Sequence, residues 1–165
     1  MVEIRTPRLL LRPARSDDAD DLHAVLSDRR SMRYWSSLPH ATISETRTWV
    51  ADMIAIPANE GEDFVIERDG QVIGKAGFYR FPEIGFIPRP DHWGQGLAQE
   101  ALTPLIERAF AVHGLARIEA DVDPRNAGSL RLLERLGFVK SGFAERTWLI
   151  GDEWCDSVYL TLERK

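Results

Sequence analysis

The chain has 165 residues, a formal net charge of −5 and one cysteine, Cys155. The length fits one compact domain, residues 1–165, and a single cysteine excludes an internal disulfide, which fits a reducing cytoplasm. The acidic balance argues against electrostatic capture of nucleic acid, and the sequence lacks an apolar run near the roughly 20 residues that a membrane helix needs. We therefore expect a cytoplasmic protein that binds neither nucleic acid nor membrane.

The first half of the chain predicts a strand, two helices and an antiparallel meander. Val2 to Arg12 is predicted to be a strand, a helix to start at about Ser16, and a second helix to cover about Ser44 to Ile56. Two β-rich runs flank Asp69-Gly70, a strong hairpin signal, so these strands are expected to be antiparallel. A further strand is predicted over Glu83 to Ile87.

The second half predicts two helices and three strands. A helix over Leu97 to Val112 contains Pro104, which predicts a kink or a late start. The remaining predicted elements are a strand over Arg117 to Val122, a helix over Asn126 to Leu136, and strands over about Phe138 to Leu149 and Trp154 to Leu162. This order predicts an α+β protein with a mixed sheet and packed helices, not a doubly wound parallel sheet.

The residues Gly94 to Ala98 form a glycine-containing turn between a strand and a helix. A helix start has free backbone N–H groups and the positive end of the helix dipole, and glycines let a ligand approach closely. Such a turn suits a pyrophosphate, although a plain glycine turn before a helix gives the same pattern.

A dinucleotide-binding Rossmann motif is the alternative interpretation of this turn. That motif requires a third glycine where Gln99 stands and an acid about 20 residues further on, near Glu119 and Asp121. The preceding Asp69-Gly70 hairpin argues against it, since a Rossmann half begins with strand, helix and strand.

The turn resembles the cofactor motif of the GNAT superfamily of N-acetyltransferases. The family pattern is (Gln/Arg)-x-x-Gly-x-(Gly/Ala), where x is any residue. Its three fixed positions fall on Trp93, Gly96 and Ala98. Gly96 and Ala98 match the pattern, and Trp93 departs from it. The run His92 to Ala101 is similar to the version found in the RimJ/RimL ribosomal-protein acetyltransferase branch.

Three other segments resemble the same branch in family order. They are Thr6 to Pro13 followed by Asp17 to Ala19, Asn126 to Phe138, and Asp156 to Tyr159. The resemblance covers nearly the whole chain. It implies a single-domain GNAT fold, with a central, mostly antiparallel seven-stranded sheet that splays between strands 4 and 5 and has helices on both faces.

The resemblance also implies that acetyl-CoA lies in the splay as co-substrate. Backbone groups of Phe86 and Ile87 would pair with the pantetheine arm, and Asn126 and Ser129 would contact that arm from the next helix. The implied pyrophosphate turn comprises Trp93, Gly94, Gln95, Gly96, Leu97 and Ala98. Helix capping is the structural alternative for Asn126. The four histidines lack metal-ligand spacing, so we expect no metal.

Attack by a neutral amine on a thioester needs a route for the amine proton and a donor for the leaving thiolate. Glu83, acting through water, is the candidate base, and Tyr159 is an alternative. Ser129 is the candidate donor, because Leu133 stands where many GNAT enzymes carry a tyrosine acid. The structural alternative for Glu83 is a solvated residue of a strand, and the alternative for Ser129 is a small residue that allows close packing.

The implied reaction is direct transfer of acetyl to a primary amine, either a protein N-terminus or a small molecule. Acceptor choice is expected to reside in about Arg29 to Asn59 and in the last hairpin, and a homodimer is possible. A non-catalytic CoA-binding sensor and a nicotinamide-dependent Rossmann oxidoreductase are the alternative functions.

Overall fold

A computed structural model describes residues 2–165, and its centre is one eight-stranded sheet. The strands are β1 (Ile4–Arg5), β2 (Leu10–Arg12), β3 (Glu62–Arg68), β4 (Gln71–Arg80), β5 (Glu83–Pro88), β6 (Arg117–Val122), β7 (Val139–Ile150) and β8 (Glu153–Glu163). They lie in the order β1-β2-β3-β4-β5-β6-β8-β7, and within the described residues β5–β6 is the one parallel pair. The predicted α+β class and mostly antiparallel sheet are confirmed, and the β3–β4–β5 meander is incompatible with a Rossmann half.

Helices cover both faces of the sheet, as predicted. They are α1 (Ala19–Leu26), α2 (Arg29–Met32), α3 (Ile43–Ile54), α4 (Leu97–Ala111) and α5 (Ala127–Arg135). Leu102 of α4 and Leu133 of α5 are buried with Ile118 of β6 in one core cluster. A second cluster joins α1 and α3 to Val65 and Ile87 on the opposite face. Within residues 2–165, the helices are too short or too polar to cross a bilayer.

The prediction of seven strands is wrong, because the N-terminal segment forms two strands instead of one. The backbone N–H of Thr6 donates to the carbonyl of Leu9 at 2.9 Å, and the turn between them contains Pro7. This turn folds β1 back on β2, with Ile4 opposite Leu11. The predicted fourth and fifth strands are consequently β5 and β6.

The first helix begins later than predicted. Ser16 to Asp18 forms a 3-10 turn, and α1 starts at Ala19. The Asp18 carboxylate accepts the backbone N–H of Arg15 at 2.7 Å and pairs with the buried Arg12 at 2.8 Å. Asp18 therefore ties the 3-10 turn to Arg12 of β2 immediately before α1.

The sheet splays between β5 and β6. Their register consists of Glu83 opposite Glu119, while β5 pairs with β4 from Glu83 to Pro88 with one irregularity. Beyond Glu83 the two parallel strands diverge, which confirms the predicted splay. Helix α4 begins at Leu97 and continues through Pro104, so the proline does not delay its start.

Candidate active site

A glycine turn leads directly into α4. Gly94 (φ 72°) and Gly96 (φ 75°) have left-handed backbones, which cost an ordinary L residue roughly 1–2 kcal/mol. The first N–H groups of α4, in residues 97–99, have no acceptor within the helix. The residues from Trp93 to Gly96 are exposed. The turn therefore presents free N–H groups and the positive end of a helix dipole, as anion binding requires.

Thr6, Arg8 and Glu100 tie this turn to the N-terminal segment, and we call them the N-terminal clasp. Arg8 Nη1 donates to the carbonyl oxygen of Gln95 at 2.8 Å, and Arg8 Nε donates to Glu100 Oε2 at 2.7 Å. The Thr6 hydroxyl and the Arg8 backbone N–H donate to Glu100 Oε1 at 2.6 and 2.8 Å. Partial burial alone would raise the pKa of Glu100, but these hydrogen bonds outweigh it and hold the pKa below its ordinary value.

A second arginine, Arg68 at the end of β3, reaches the same turn. Its Nη1 donates to Gln95 Oε1 at 2.9 Å and lies 3.1 Å from His92 Nδ1. Removal from water, together with the positive charges of Arg68 and Arg89, lowers the pKa of His92. The sequence does not predict Arg8 or Arg68 at this turn, although Arg8 belongs to a segment that carries the family resemblance.

The edge of β5 that faces β6 is open along the splay. Phe86 and Ile87, the predicted pantetheine contacts, lie in β5 beyond the single pairing with β6. The Phe86 side chain packs with the α4 side of the core, and the Ile87 side chain is buried on the opposite face. This edge therefore offers backbone groups to an extended ligand, in the way that a sheet edge accepts an added strand.

Asn126 caps α5, as the helix-capping interpretation of this residue predicted. Its Oδ1 accepts the backbone N–H of Ser129 at 3.2 Å. Within residues 2–165, the Asn126 amide nitrogen and the Ser129 hydroxyl make no hydrogen bond, and Ser129 is half-buried. Both residues therefore retain polar atoms for a ligand, and their roles in binding and catalysis stay predictions.

A cavity of about 1150 Å³ lies on the α1–α3 side of the sheet, against the β7–β8 hairpin. Its wall includes Glu83 and Gly85 of β5 and Asp121 of β6, which brings it to the splay. Ser129 belongs to α5, on the opposite side of the sheet from the cavity. Tyr159 of β8 lies beside Asp121 of β6 but does not line the cavity. Of the three predicted catalytic residues, the structure brings Glu83 to the cavity.

The Glu83 carboxylate lies where the two strands part. Among residues 2–165, its side chain forms no hydrogen bond and no ion pair. Within the same residues, the His, Cys, Asp and Glu side chains form no group of three that could hold a metal ion. Partial removal from water, then the negative charges of Asp121 and Glu119, raise the pKa of Glu83. A carboxylate beside a cavity, with no partner of its own and a raised pKa, is a candidate to accept a proton.

Comparison with known proteins decides the family. The family model of the acetyltransferase (GNAT) domain matches residues 8–139. The chain belongs to the GNAT acetyltransferase family. A protein of Bacillus licheniformis named uncharacterized N-acetyltransferase p20 is 35% identical over 152 residues, which cover 86% of this GNAT chain and 85% of that protein. Membership of the family makes the chain an acyltransferase.

Solved GNAT structures share the whole fold. The ribosomal-protein-S5-alanine acetyltransferase of Vibrio fischeri has a TM-score of 0.84 and 23% identity, with 99% of this chain and 97% of that chain covered. Spermidine N-acetyltransferase of Vibrio cholerae, solved with CoA and spermine, has a TM-score of 0.81 and 23% identity, with 96% of each chain covered. These similarities confirm the GNAT fold.

Removing the clasp is expected to weaken CoA binding. Arg8→Ala deletes the hydrogen bond to Gln95 and the contacts with Glu100, so the glycine turn loses its tie to the N-terminal segment. Because the Arg8 side chain is 41% exposed, we expect a loss of only about three- to tenfold in affinity, measured by calorimetry with CoA. Arg5→Ala, at an exposed arginine of the neighbouring β1, is the matched control. Unchanged affinity in Arg8→Ala would show that the clasp does not position the turn.

Proposed function

We propose that this GNAT enzyme transfers acetyl from acetyl-CoA directly to a primary amine and that residues 1–165 act as one domain. The observation that carries the proposal is the juxtaposition at the splay. The exposed Gly94–Gly96 turn leads into α4 beside the open edge of β5, and the Glu83 carboxylate faces a cavity at the point where β5 and β6 part. A candidate base, an open strand edge and a turn suited to anions therefore follow one another along a path from the start of β5 to the start of α4.

The residues along this path fit acetyl-CoA. Backbone N–H groups of Gln95, Gly96, Leu97 and Ala98 would hold the pyrophosphate, with the charges of Arg8 and Arg68 close to the turn. Trp93 departs from the family pattern, and its Nε1 donates to the carbonyl oxygen of Pro88 at 3.0 Å, which joins the turn to the end of β5. Backbone groups of Phe86 and Ile87, and the Asn126 amide, would hold the pantetheine arm. The bound co-substrate supplies an acetyl thioester at the splay.

The proposed reaction requires no covalent enzyme intermediate. The amine nitrogen bonds to the acetyl carbon, the carbon–sulfur bond breaks, and the amine proton passes through water to Glu83. Ser129 would donate a hydrogen bond to the departing thiolate from the α5 side of the sheet, and the proton collected by Glu83 would return through water to that sulfur, which leaves as the free CoA thiol. The raised pKa and unpaired carboxylate of Glu83 support its role, and the unbonded hydroxyl supports that of Ser129. Tyr159, exposed beside Asp121, is the alternative base.

One assay tests the proposal. The protein is mixed with acetyl-CoA and a panel of small amines and peptides, and release of the CoA thiol is followed over time. Calorimetry with CoA and with NAD accompanies it. Acetylation of an amine supports the proposal, and failure to bind CoA contradicts it. Binding of CoA without turnover on any acceptor would favour the alternative of a non-catalytic sensor.

The rate of acetyl transfer is expected to rise with pH as Glu83 loses its proton. Its pKa is raised above the ordinary 4.5 of glutamic acid, so the base is lost as pH falls through that raised value. Asp121→Asn removes a neighbouring negative charge, stabilises the ionised form of Glu83 and moves the acid midpoint of kcat to lower pH. The comparison uses an acceptor with a single amine, which titrates alike when free in both assays, so the difference between midpoints reports the enzyme. A midpoint that stays fixed or rises in Asp121→Asn would contradict this assignment.

A further inference from the structure

The cavity at the splay concentrates the negative charge of the protein. Eight carboxylates and four cationic side chains line it, so its lining carries a formal net charge of −4. The whole chain carries −5. The acidity of the sequence is therefore gathered around one cavity, and it is the cavity that adjoins the proposed acetyl-transfer site.

Some of these carboxylates have cationic partners within the fold. Arg125 lies 2.7 Å from Asp123 and 3.0 Å from Glu153, and Lys75 lies 2.9 Å from Asp63. The remaining five acidic residues of the lining take part in no ion pair among residues 2–165: Asp52, Glu83, Asp121, Asp152 and Asp156. Two lining cations, Arg29 and Arg80, are likewise unpaired. The cavity therefore keeps a surplus of three negative charges.

Asp63, a further acidic residue of the lining, is set apart by its burial. Its side chain is 1% exposed, and although Oδ2 pairs with Lys75, Oδ1 has no hydrogen-bond partner among residues 2–165. Burial raises the pKa of Asp63 in spite of the nearby ammonium. A buried polar atom without a partner is costly and uncommon in folded proteins. Because Oδ1 is shut off from the cavity as well as from solvent, Asp63 adds nothing to the charge surplus, which the five unpaired carboxylates carry.

Aromatic side chains stand beside the unpaired carboxylates. The indole N–H of Trp148 donates to Asp121 Oδ2 at 3.1 Å. Trp35, Trp49 and Tyr79 line other parts of the cavity, and the Lys75 ammonium already lies 5.7 Å from the Trp35 ring centre. Aromatic rings next to carboxylates form good surroundings for alkylammonium groups, because the rings contact the methylenes and attract the charge.

We propose, building on the acetyl-transfer function above, that the acceptor is a short linear aliphatic diamine or polyamine. One amine reaches the splay beside Glu83, where it is acetylated. A second ammonium group is held by Asp121, and the hairpin carboxylates Asp152 and Asp156 extend the negative path for a third. A peptide N-terminus fits less well, since it brings one obligatory charge and several amide groups, whereas the lining supplies a surplus of carboxylates.

A set of acceptors of one chain length tests the inference. The acceptors are 1-aminobutane, 4-amino-1-butanol, 4-aminobutanoate and 1,4-diaminobutane, with a linear triamine and an alanine-initiated peptide, and release of the CoA thiol is measured. We expect kcat/KM for the diamine to exceed that for the monoamine by about tenfold, with 4-aminobutanoate the poorest. The preference should shrink as salt is added. Equal rates for monoamine and diamine, or a peptide superior to both, would overturn the inference.

A pair of variants tests whether Asp121 holds the second ammonium group of the acceptor. Asp121→Asn should lower the diamine-to-monoamine ratio of kcat/KM by about threefold or more. Any effect of this variant on Glu83 acts on both acceptors and cancels in the ratio. Asp17→Asn, at an exposed acid in the turn before α1, is the control and should leave the ratio unchanged. Thermal unfolding checks that both variants fold.

The outcomes separate this inference from the proposed function. Amines acetylated without a diamine preference leave the function standing and remove the inference. If CoA binds and no amine is acetylated, both fall. A ratio unchanged in folded Asp121→Asn overturns the role of Asp121.

Discussion

Replacing Gly96 with glutamate is expected to lower the affinity for CoA by about 100-fold or more. The residue has φ 75°, a backbone conformation that costs a side chain roughly 1–2 kcal/mol. A carboxylate at the start of α4 would also repel the pyrophosphate from the N–H groups that we propose to bind it. A Cβ at this position would lie 3.7 Å from Arg8 Nη2, so the new carboxylate would compete for the arginine that holds Gln95. Calorimetry with CoA measures the loss.

Gly114→Glu is the matched control for that variant. Gly114 has φ 65°, follows the other end of α4, and has open space around an added Cβ. The substitution brings the same charge and a similar backbone cost far from the turn, so CoA affinity should be retained. Gly96→Ala isolates the backbone cost and should lose less affinity than Gly96→Glu. Equal CoA affinity in Gly96→Glu and Gly114→Glu would show that the pyrophosphate binds elsewhere.

Replacing Glu83 with glutamine is expected to lower kcat by about 100- to 10,000-fold, the range for loss of a general base. The substitution keeps the size of the side chain and removes its ability to accept a proton. CoA affinity should change by less than about threefold, because the proposed contacts with CoA are made by the glycine turn and the backbone of β5. Steady-state kinetics, together with calorimetry, separates the two effects.

Glu119→Gln serves as the comparison for Glu83→Gln. Glu119 lies opposite Glu83 in the β5–β6 pairing and forms an ion pair with Arg117 at 2.8 Å. Its loss removes a minor cause of the raised pKa of Glu83, so we expect a small shift of the acid midpoint and no large fall in kcat. Full activity in Glu83→Gln would eliminate Glu83 as the base and direct attention to Tyr159.

The elements that the sequence predicts well are those whose signals are local. Asp69 and Gly70 both have positive φ, 51° and 80°, as a tight hairpin requires, so the turn residues alone indicate the antiparallel pair β3–β4. Asn126 caps α5 by accepting a hydrogen bond from Ser129, three residues on. The prediction for Val2 to Arg12 was wrong because the apolar pattern spans the Thr6–Leu9 turn, whose hydrogen bond the pattern does not reveal.

The remaining features of the site depend on contacts that are distant along the chain. Arg8 and Glu100 are 92 positions apart, and Arg68 and Gln95 are 27 apart. These side chains meet because β2 and β3 are neighbours in the sheet and α4 packs over it, and no short motif encodes that arrangement. Burial is the main cause of the raised pKa of Glu83, but a further part comes from Asp121, which the chain brings to Glu83 only after it has passed through α4 and into β6.

Through the N-terminal clasp, anion binding at the glycine turn and folding of the segment that carries β1 and β2 are thermodynamically coupled. β1 has two residues and, in the part of the chain that the structure describes, pairs with β2 alone, so little else in the sheet holds it in place. An anion that orders the Gly94–Gly96 turn also favours, through Gln95 and Arg8, the folded form of this segment, and by reciprocity the folded segment favours the anion. A chain without the clasp must order the turn at the moment of binding, and that loss of entropy is subtracted from its affinity.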